Sequence, residues 1–380
     1  MTQKTKTVCR LVSPDDAHEL MRLYQESFPK VKQDALFLDL ARLRGTIEDS
    51  GRYWVAAERG GRLTALVALL HDAENRLGRI RRMYAAGSEA EKRADLGAAL
   101  GFLLELIVKD DAADMIYSTT RTLTLEKQEL TLEHGFKVLG VFPNAVYADP
   151  RRLNGLSAWF APGVLAGKRH AEFALHPMLE PFFEIARRQC DLPKQEAAKV
   201  PPPPAGLPPA PPLEMIEAKR FVAERYRQVR SRKHLSVNFF PFETPNILFT
   251  SPDGKVEVFV QHVKETRFAC ILGEHLTAAV DPVSLYREVA QMLYDSRAIY
   301  IEVINDAADA SGTECILRAG FVPCGYMPCL KHAGDKRRDY AVFARSYEYF
   351  TYPRLKVNSL YMDYLRAYCK ARAVTSAHDA

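Results

Sequence analysis

Lys92, Arg93, Asp95 and Gly97 stand close together, after an apolar strand-like run (Ile80 to Ala86) and before a strongly apolar helical stretch (Leu96 to Val108). A strand, a turn carrying basic and small residues, and a helix start make a place for an anion. The first N–H groups of a helix have no partner inside it, and the helix dipole adds partial positive charge there. Gly97 removes a side chain where a phosphate would need to approach the backbone. Asp95 would repel that anion unless it caps the helix and points away. Three arginines lie on the preceding strand. Alternation puts Arg79 and Arg81 on one face and Arg82 on the other. Such a strand disfavours a diamine and suits a substrate with a carboxylate or phosphate, held by a bidentate guanidinium. A solvated edge, or contact with Asp110 and Asp111, explains the same arginines equally well.

The elements that must position these residues follow from periodicity and breakers. Thr7 to Val12 reads as a strand, Ser13-Pro14 as a helix start, and Ala17, Leu20, Met21 and Tyr24 as one helical face. A second helix is expected over 34–48. Strands follow at 53–59, 63–71 and 79–86, the first two joined by Gly60-Gly61. Beyond the apolar helix come a strand (114–119), a helix (123–134) closed by Gly135, and a strand (136–146). A helix is expected over 166–190. Prolines then crowd residues 193–212, which favours an extended linker over a groove-binding motif. After it the pattern gives a basic helix (214–230), strands at 246–250, 256–262 and 266–273, a helix from Val283, a strand (298–304), a helix (311–319) and two last strands. Gly135-Phe136, Gly140 and Pro143 recur as Gly320-Phe321, Gly325 and Pro328 at the same spacing, so the second half repeats the first. An aromatic-rich helix (359–373) is expected to pack across the domain interface.

The chain has 380 residues, enough for two domains, and a net charge of +5. That small excess permits an acidic ligand and makes a nucleic-acid partner unlikely by composition. No run of about 18 apolar residues exists, so no transmembrane helix and no membrane partner are expected. The first residues lack the apolar core of a signal peptide. Seven cysteines without paired spacing suit a reducing cytoplasm. Cys315, Cys324, Cys329 and His332 read as buried thiols rather than a metal site. Arg227, Arg230, Arg232, Lys233 and His234 read as a solvated helix end.

The order β-α-α-β-β-β-α-β-α-β, with the basic turn between the fourth strand and third helix, resembles the GNAT (GCN5-related N-acetyltransferase) arrangement over roughly residues 7–160. Lys92 and Gly97 hold two places of that family's Gln/Arg-x-x-Gly-x-Gly/Ala loop, and Asp95 replaces the first glycine. The segment 119–144, with Leu132 to Phe136, Gly140 and Asn144, and the run Ser157-Ala158-Trp159-Phe160 are similar to bacterial β-lysine N-acetyltransferases. The resemblance implies an α/β (α+β) fold of two GNAT-like mixed-sheet domains in tandem joined by a Pro-rich linker. The expected division is 1–165, 166–213, 214–350 and 351–380.

The resemblance further implies acetyl-CoA or another acyl-CoA as cofactor and a small-molecule amine as acceptor. Met83, Tyr84 and Ala85 would line the pantetheine, with Ala85 or a neighbour offering an N–H to the thioester oxygen. Lys92, Arg93, Leu96, Gly97 and Ala98 would take the pyrophosphate. Arg79 and Arg81 are the substrate-binding candidates. The family's general-acid tyrosine falls on Thr131, and in the second half on Ile316. Tyr84, Tyr117 and Tyr147 are substitutes, while His71, Glu74 and His134 are candidate bases. The second half has no basic loop before Val283. Its expected role is to wall the substrate site or to form a homodimer. The alternative to an N-acyltransferase is a catalytically inactive acyl-CoA sensor or protein-interaction module. Aminoacyl transfer is a third class, for which the chain lacks an inserted coiled coil.

Overall fold

The computed structural model describes residues 6–29, 34–49, 51–120, 125–143, 145, 153–200, 202, 206–231, 241–348 and 357–378. The chain is α/β and forms two compact units. One comprises 1–118, 126–136 and 158–162, the other 119–125, 137–157 and 163–380.

The first unit runs β1 (Val8–Leu11), α1 (Ala17–Ser27), α2 (Leu40–Glu48), β2 (Arg52–Arg59), β3 (Arg62–Asp72), β4 (Leu77–Ala85), α3 (Glu89–Lys109), β5 (Met115–Thr120) and α4 (Leu125–Glu133). Its strands lie in sequence order, antiparallel except for the parallel pair β4 and β5. Strand alternation sends Val55, Val67 and Leu69 to one face, against Leu100, Leu103 and Ile107 of α3. It sends Trp54, Leu66 and Tyr84 to the other, against Leu20 and Leu23 of α1 and Phe37. Each fully buried leucine or isoleucine contributes about 1.5–3 kcal/mol. Leu103→Ala would open the α3 layer at a cost of about 2–5 kcal/mol.

Helix α3 starts well before the expected Leu96. Ser88 is its N-cap, and a capping box with Glu91 closes its first turn. Lys92 to Gly97 therefore lie inside a helix, not in front of one.

Two irregularities shape β4. The β3 ladder pairs Leu69 with Ile80 and then Ala68 with Arg82, so Arg81 is a bulge. The parallel ladder to β5 ends at the Ile80–Ser118 pair, although β4 continues to Ala85. The last half of β4 has left its neighbour.

The second unit contains β6 (Lys137–Pro143), residues 153–157 of β7 (Leu153–Phe160), a small pair β8 (Ala174–Leu175) and β9 (Glu196–Ala197), and α5 (Glu180–Cys190) between them. It continues with β10 (Glu214–Ile216), α6 (Lys219–Ser231), β11 (Ile247–Thr250), β12 (Val256–Val263), β13 (Phe268–Leu276), α7 (Pro282–Asp295), β14 (Tyr300–Asp306), α8 (Ala310–Arg318), β15 (Val322–Ala333), β16 (Lys336–Ser346) and α9 (Ser359–His378). The large sheet orders them β7-β6-β15-β16-β14-β13-β12-β11-β10, with β13 and β14 parallel.

The β4 irregularities recur here. Val260 pairs with Ile271 and Phe259 with Gly273, leaving Leu272 as a bulge, and the parallel ladder to β14 stops at Cys270–Glu302. The two glycines of the sequence repeat also meet, since β6 and β15 pair at Gly140 and Gly325. A Cβ on Gly140 would stand 2.7 Å from the Gly325 Cα, closer than any real contact.

Two expected helices are shortened. Over 166–190 the chain makes a π turn (Val164–Lys168) and a 3-10 turn at Pro177 before α5 begins. Glu214 to Ile216 pair with β11 instead of joining α6. Part of the proline run (201 and 203–205) lies outside the described residues. Helix α9 packs on β6, β15 and α5, burying Tyr361, Tyr364 and Tyr368.

Arg169 and Asp339 form a buried ion pair. The same carboxylate accepts from the Tyr326 hydroxyl (2.7 Å) and the Cys329 N–H (3.0 Å). Cys190, Cys270, Cys315, Cys324 and Cys329 are buried free thiols. No helix among the described residues is long and apolar enough to cross a membrane. No group of three or more His, Cys, Asp or Glu among them is placed to hold a metal.

Candidate functional site

The first unit holds a cleft of about 170 Å³ at the C-terminal end of β4, lined by residues of β4, α3, α4 and the end of α1. Five residues expected from the sequence line it: Tyr84, Ala85, Lys92, Arg93 and Leu96. β4 brings Tyr84 and Ala85 there because it outruns its ladder to β5. α3 brings the other three from its first turns.

Tyr84 is the most unusual group in the cleft. It is 4 % exposed, and its hydroxyl has no hydrogen-bond partner among the described residues. Its ring is fixed edge-on against Tyr24, Phe28 and Phe37, with centroids 5.5, 5.6 and 5.9 Å away. Burial pushes its phenol well above the usual tyrosine range, so the oxygen keeps its proton at all ordinary pH. A buried donor without an acceptor is costly in a folded protein and points to something that fills the site.

The basic residues are held lightly. Lys92 pairs with Glu89 at 2.8 Å, and Arg93 with Glu133 and Glu129, all part-exposed. Such pairs contribute about 0–1 kcal/mol each, so an incoming phosphate can replace them. At the start of α3 the Glu91 carboxylate accepts from the Ser88 N–H, and the Ser88 hydroxyl from the Glu91 N–H. The Glu89 and Ala90 N–H groups have no acceptor among the described residues. Two open N–H groups, Lys92 and Arg93 can hold an anion, against the charge of Glu89 and Glu91 in the same turn.

Other expected residues have different places. Asp95 is 1 % exposed and turned away from the cleft. Its carboxylate oxygens both accept from Arg59 Nη2 (2.7 and 2.8 Å), and one also accepts from the Thr7 hydroxyl (3.0 Å). Gly97 serves helix packing: a Cβ there would touch Leu130 at 3.4 Å and His134 at 3.5 Å. Ala98 is exposed on α3, outside the cleft lining. Met83 points to the α3 core, opposite Tyr84.

None of the three candidate bases lines the cleft. Glu74 sits in the turn before β4, about 30 Å of strand away from its far end. His71 is at that same end, its Nε2 2.9 Å from the Ala112 carbonyl. His134 places Nδ1 2.8 Å from the Leu130 carbonyl and Nε2 2.9 Å from the Gly97 carbonyl, so its ring ties α4 to α3.

Among the arginines, Arg82 pairs with Asp34 at 2.7 Å and lies over the Phe37 ring. Arg79 lies over Tyr117, in the paired part of the sheet, and Arg81 is the exposed bulge residue. Thr131 is buried and its hydroxyl donates to the Gln128 carbonyl. Asn144, Tyr147, Arg232, Lys233 and His234 lie outside the described residues.

Sequence reasoning missed Ser27, Phe28, Glu89, Glu126 and Leu130 of the lining. Nothing in their spacing marks them, because three separate elements bring them together. Only Glu89 could have been found, because Ser88 and Glu91 on either side of it spell a capping box in plain sequence.

No family model matches the sequence, and no curated protein matches it. Among solved structures, the chain is similar to an acetyltransferase of the GNAT family from Streptococcus pneumoniae. The identity is 15 %, over 41 % of this chain and 99 % of that one, with a TM-score of 0.37. It is similar to an aminoglycoside 6'-acetyltransferase type Ii at 17 % identity, over 40 % and 96 % of the two chains, with a TM-score of 0.34. It is similar to the PaiA N-acetyltransferase from Thermoplasma acidophilum, solved in complex with coenzyme A, at 15 % identity, over 41 % and 99 %, with a TM-score of 0.32.

Proposed function

We propose that the first unit is an acyl-CoA-dependent N-acyltransferase, in its simplest form an N-acetyltransferase, acting on the amine of a small molecule. The second half of the chain is a repeated, non-catalytic copy of it. One observation carries the reading: β4 parts from β5 beyond Ile80, and the gap opens on a cleft holding a buried phenol with no partner among the described residues.

The residues present fit an acyl-CoA. Lys92 and Arg93, with the Glu89 and Ala90 N–H groups, would hold its pyrophosphate, and Tyr84, Ala85 and Leu96 its pantetheine arm. Bound there, the cofactor supplies an acyl group already activated as a thioester. The main chain of β4, bent at Arg81 and released from β5, orients the reacting carbonyl. Glu126, a carboxylate in the same cleft, takes the proton of the amine directly or through water. Tyr84 holds its proton at Oη and can give it to the departing sulfur. The apolar walls, Phe28, Leu96 and Leu130, keep water from competing as the acceptor.

A sensor without catalysis is the second reading, favoured by the acidic first turn of α3 and by Thr131 at the family's tyrosine position. Calorimetry with acetyl-CoA, followed by thiol release over a panel of amines, separates the two. The enzyme reading expects micromolar binding, weakened at least about tenfold by Lys92→Glu with Arg93→Glu, and thiol release with at least one amine. Binding without release leaves the sensor. No binding by the wild-type chain ends both.

A further inference from the structure

We infer that the proline-rich residues 206–212 occupy the cofactor end of the second copy as a built-in strap, so that the chain holds one acyl-CoA and not two. The inference rests on the repeat and on the acyl-CoA reading of the first unit.

Helix α7 follows β13 as α3 follows β4. It begins ten residues after the bulge at Leu272, and α3 begins eight after the bulge at Arg81, so in each copy a short turn joins the bulged strand to the helix start. A helix start must place every one of its first donors. In α7 each is taken by the protein. The Asp281 N–H donates to the Pro208 carbonyl at 2.7 Å. Pro282 has no N–H. The Val283 and Ser284 N–H groups donate to the two Asp281 carboxylate oxygens at 3.1 and 3.0 Å. The Leu285 N–H begins the regular helical bonding to the Asp281 carbonyl. Nothing remains for a phosphate, and the cap itself is an anion.

The strap is also held from its own side. Residues 208, 209, 211 and 212 are prolines, so Ala210 has the one N–H between Leu207 and Leu213. That N–H donates to the Ser284 hydroxyl at 2.8 Å, and the hydroxyl in turn donates to the Asp281 carbonyl at 2.9 Å. A polyproline segment is stiff before it docks, so little chain entropy is lost in holding it there. Glu274 stands two residues past its bulge, as Met83 stands two past its own. Where Met83 packs on α3, the second copy has a buried carboxyl bonded to Tyr286 of α7.

Hydrogen exchange on the full-length protein tests the strap directly. The Ala210 and Asp281 amides should exchange at least roughly a hundredfold more slowly than in an unstructured peptide. Ser284→Ala should release Ala210 and leave Asp281 slow. Unstructured rates at both amides of the wild-type chain would overturn the strap. Calorimetry with CoA should give one site per chain, lost in the Lys92→Glu, Arg93→Glu variant. Two sites, or one that survives that variant, would overturn it equally. No binding at all would remove the acyl-CoA reading of the first unit, while the exchange rates would still decide whether the strap is docked.

Discussion

Arg59 of β2 and Asp95 of α3 meet in an ion pair in which one guanidinium nitrogen, Nη2, donates to both carboxylate oxygens at 2.7 and 2.8 Å, on the side of α3 away from the cleft. The carboxylate is buried and the guanidinium part-exposed. Removing Arg59 would leave that carboxylate with the Thr7 hydroxyl alone. Arg59→Ala should therefore cost about 2–3 kcal/mol, read as a lower urea midpoint at unchanged slope. CoA affinity should stay within about twofold, since the pair is structural. A large loss of affinity with normal stability would put Asp95 back in the ligand site.

Gly97 gives the sharper contrast. Were it there to admit a phosphate, an alanine would weaken anion binding. Its neighbours are instead Leu130 and His134, at ordinary contact distance from a new Cβ. Gly97→Ala should fold, gain up to about 1 kcal/mol of helix propensity and bind CoA as the wild type does. Thermal unfolding and calorimetry on the one variant check both halves of that statement.

Tyr84→Phe removes an oxygen and leaves the ring in its aromatic nest. Because the hydroxyl has no partner among the described residues, the variant should be as stable as the wild type or about 1 kcal/mol more stable. If Oη gives its proton to the leaving sulfur, turnover should fall by about a hundredfold with substrate affinity nearly unchanged. The phenol titrates well above its ordinary value, so no alkaline limb from Tyr84 should enter the rate profile in the neutral range. Full activity in the phenylalanine variant would remove Tyr84 from the chemistry.

Glu274 makes stability depend on pH. Complete burial raises its carboxyl from 4.5 to about 7. The folded chain thus binds this proton more tightly than the unfolded chain. Its contribution is fully present below about pH 4.5 and is lost as pH rises through about 7. Glu274→Gln should match the wild type near pH 4 and exceed it by up to about 3 kcal/mol near pH 8. Denaturant midpoints at the two pH values measure the difference.

The order of elements was legible because each carries a local signal. Ser13-Pro14, Gly60-Gly61, Gly135 and Asp281-Pro282 are starts and stops that act through backbone chemistry alone. The glycines that recur in the sequence, Gly140 and Gly325, mark a close backbone approach, since a Cβ on Gly140 would stand 2.7 Å from the Gly325 Cα. The start of α3 was not as legible. The spacing from Lys92 to Gly97 suggested a loop, while Ser88 and Glu91 had already begun the helix. The cleft was half legible: β4 and α3 contribute neighbours in sequence, but Phe28 and Glu126 arrive from distant elements. The bulge at Arg81, next to the point where β4 leaves β5, has no signature in residue type. The proline run read as a tether because composition reports stiffness and says nothing of where a stiff segment docks.

The buried thiols make this chain a quiet one toward oxidants and alkylating reagents. Burial lifts Cys315 to about 11 and Cys190 to about 12, and pushes Cys324 and Cys329 further. A thiol reacts as its anion, so these four scarcely react while the fold is closed. Cys369, exposed on α9, is then the position that a maleimide dye should find first. Once Cys369 and the half-buried Cys9 of the first unit are labelled, the slow appearance of further label would time the opening of the second unit, with no mutation needed to install the reporter.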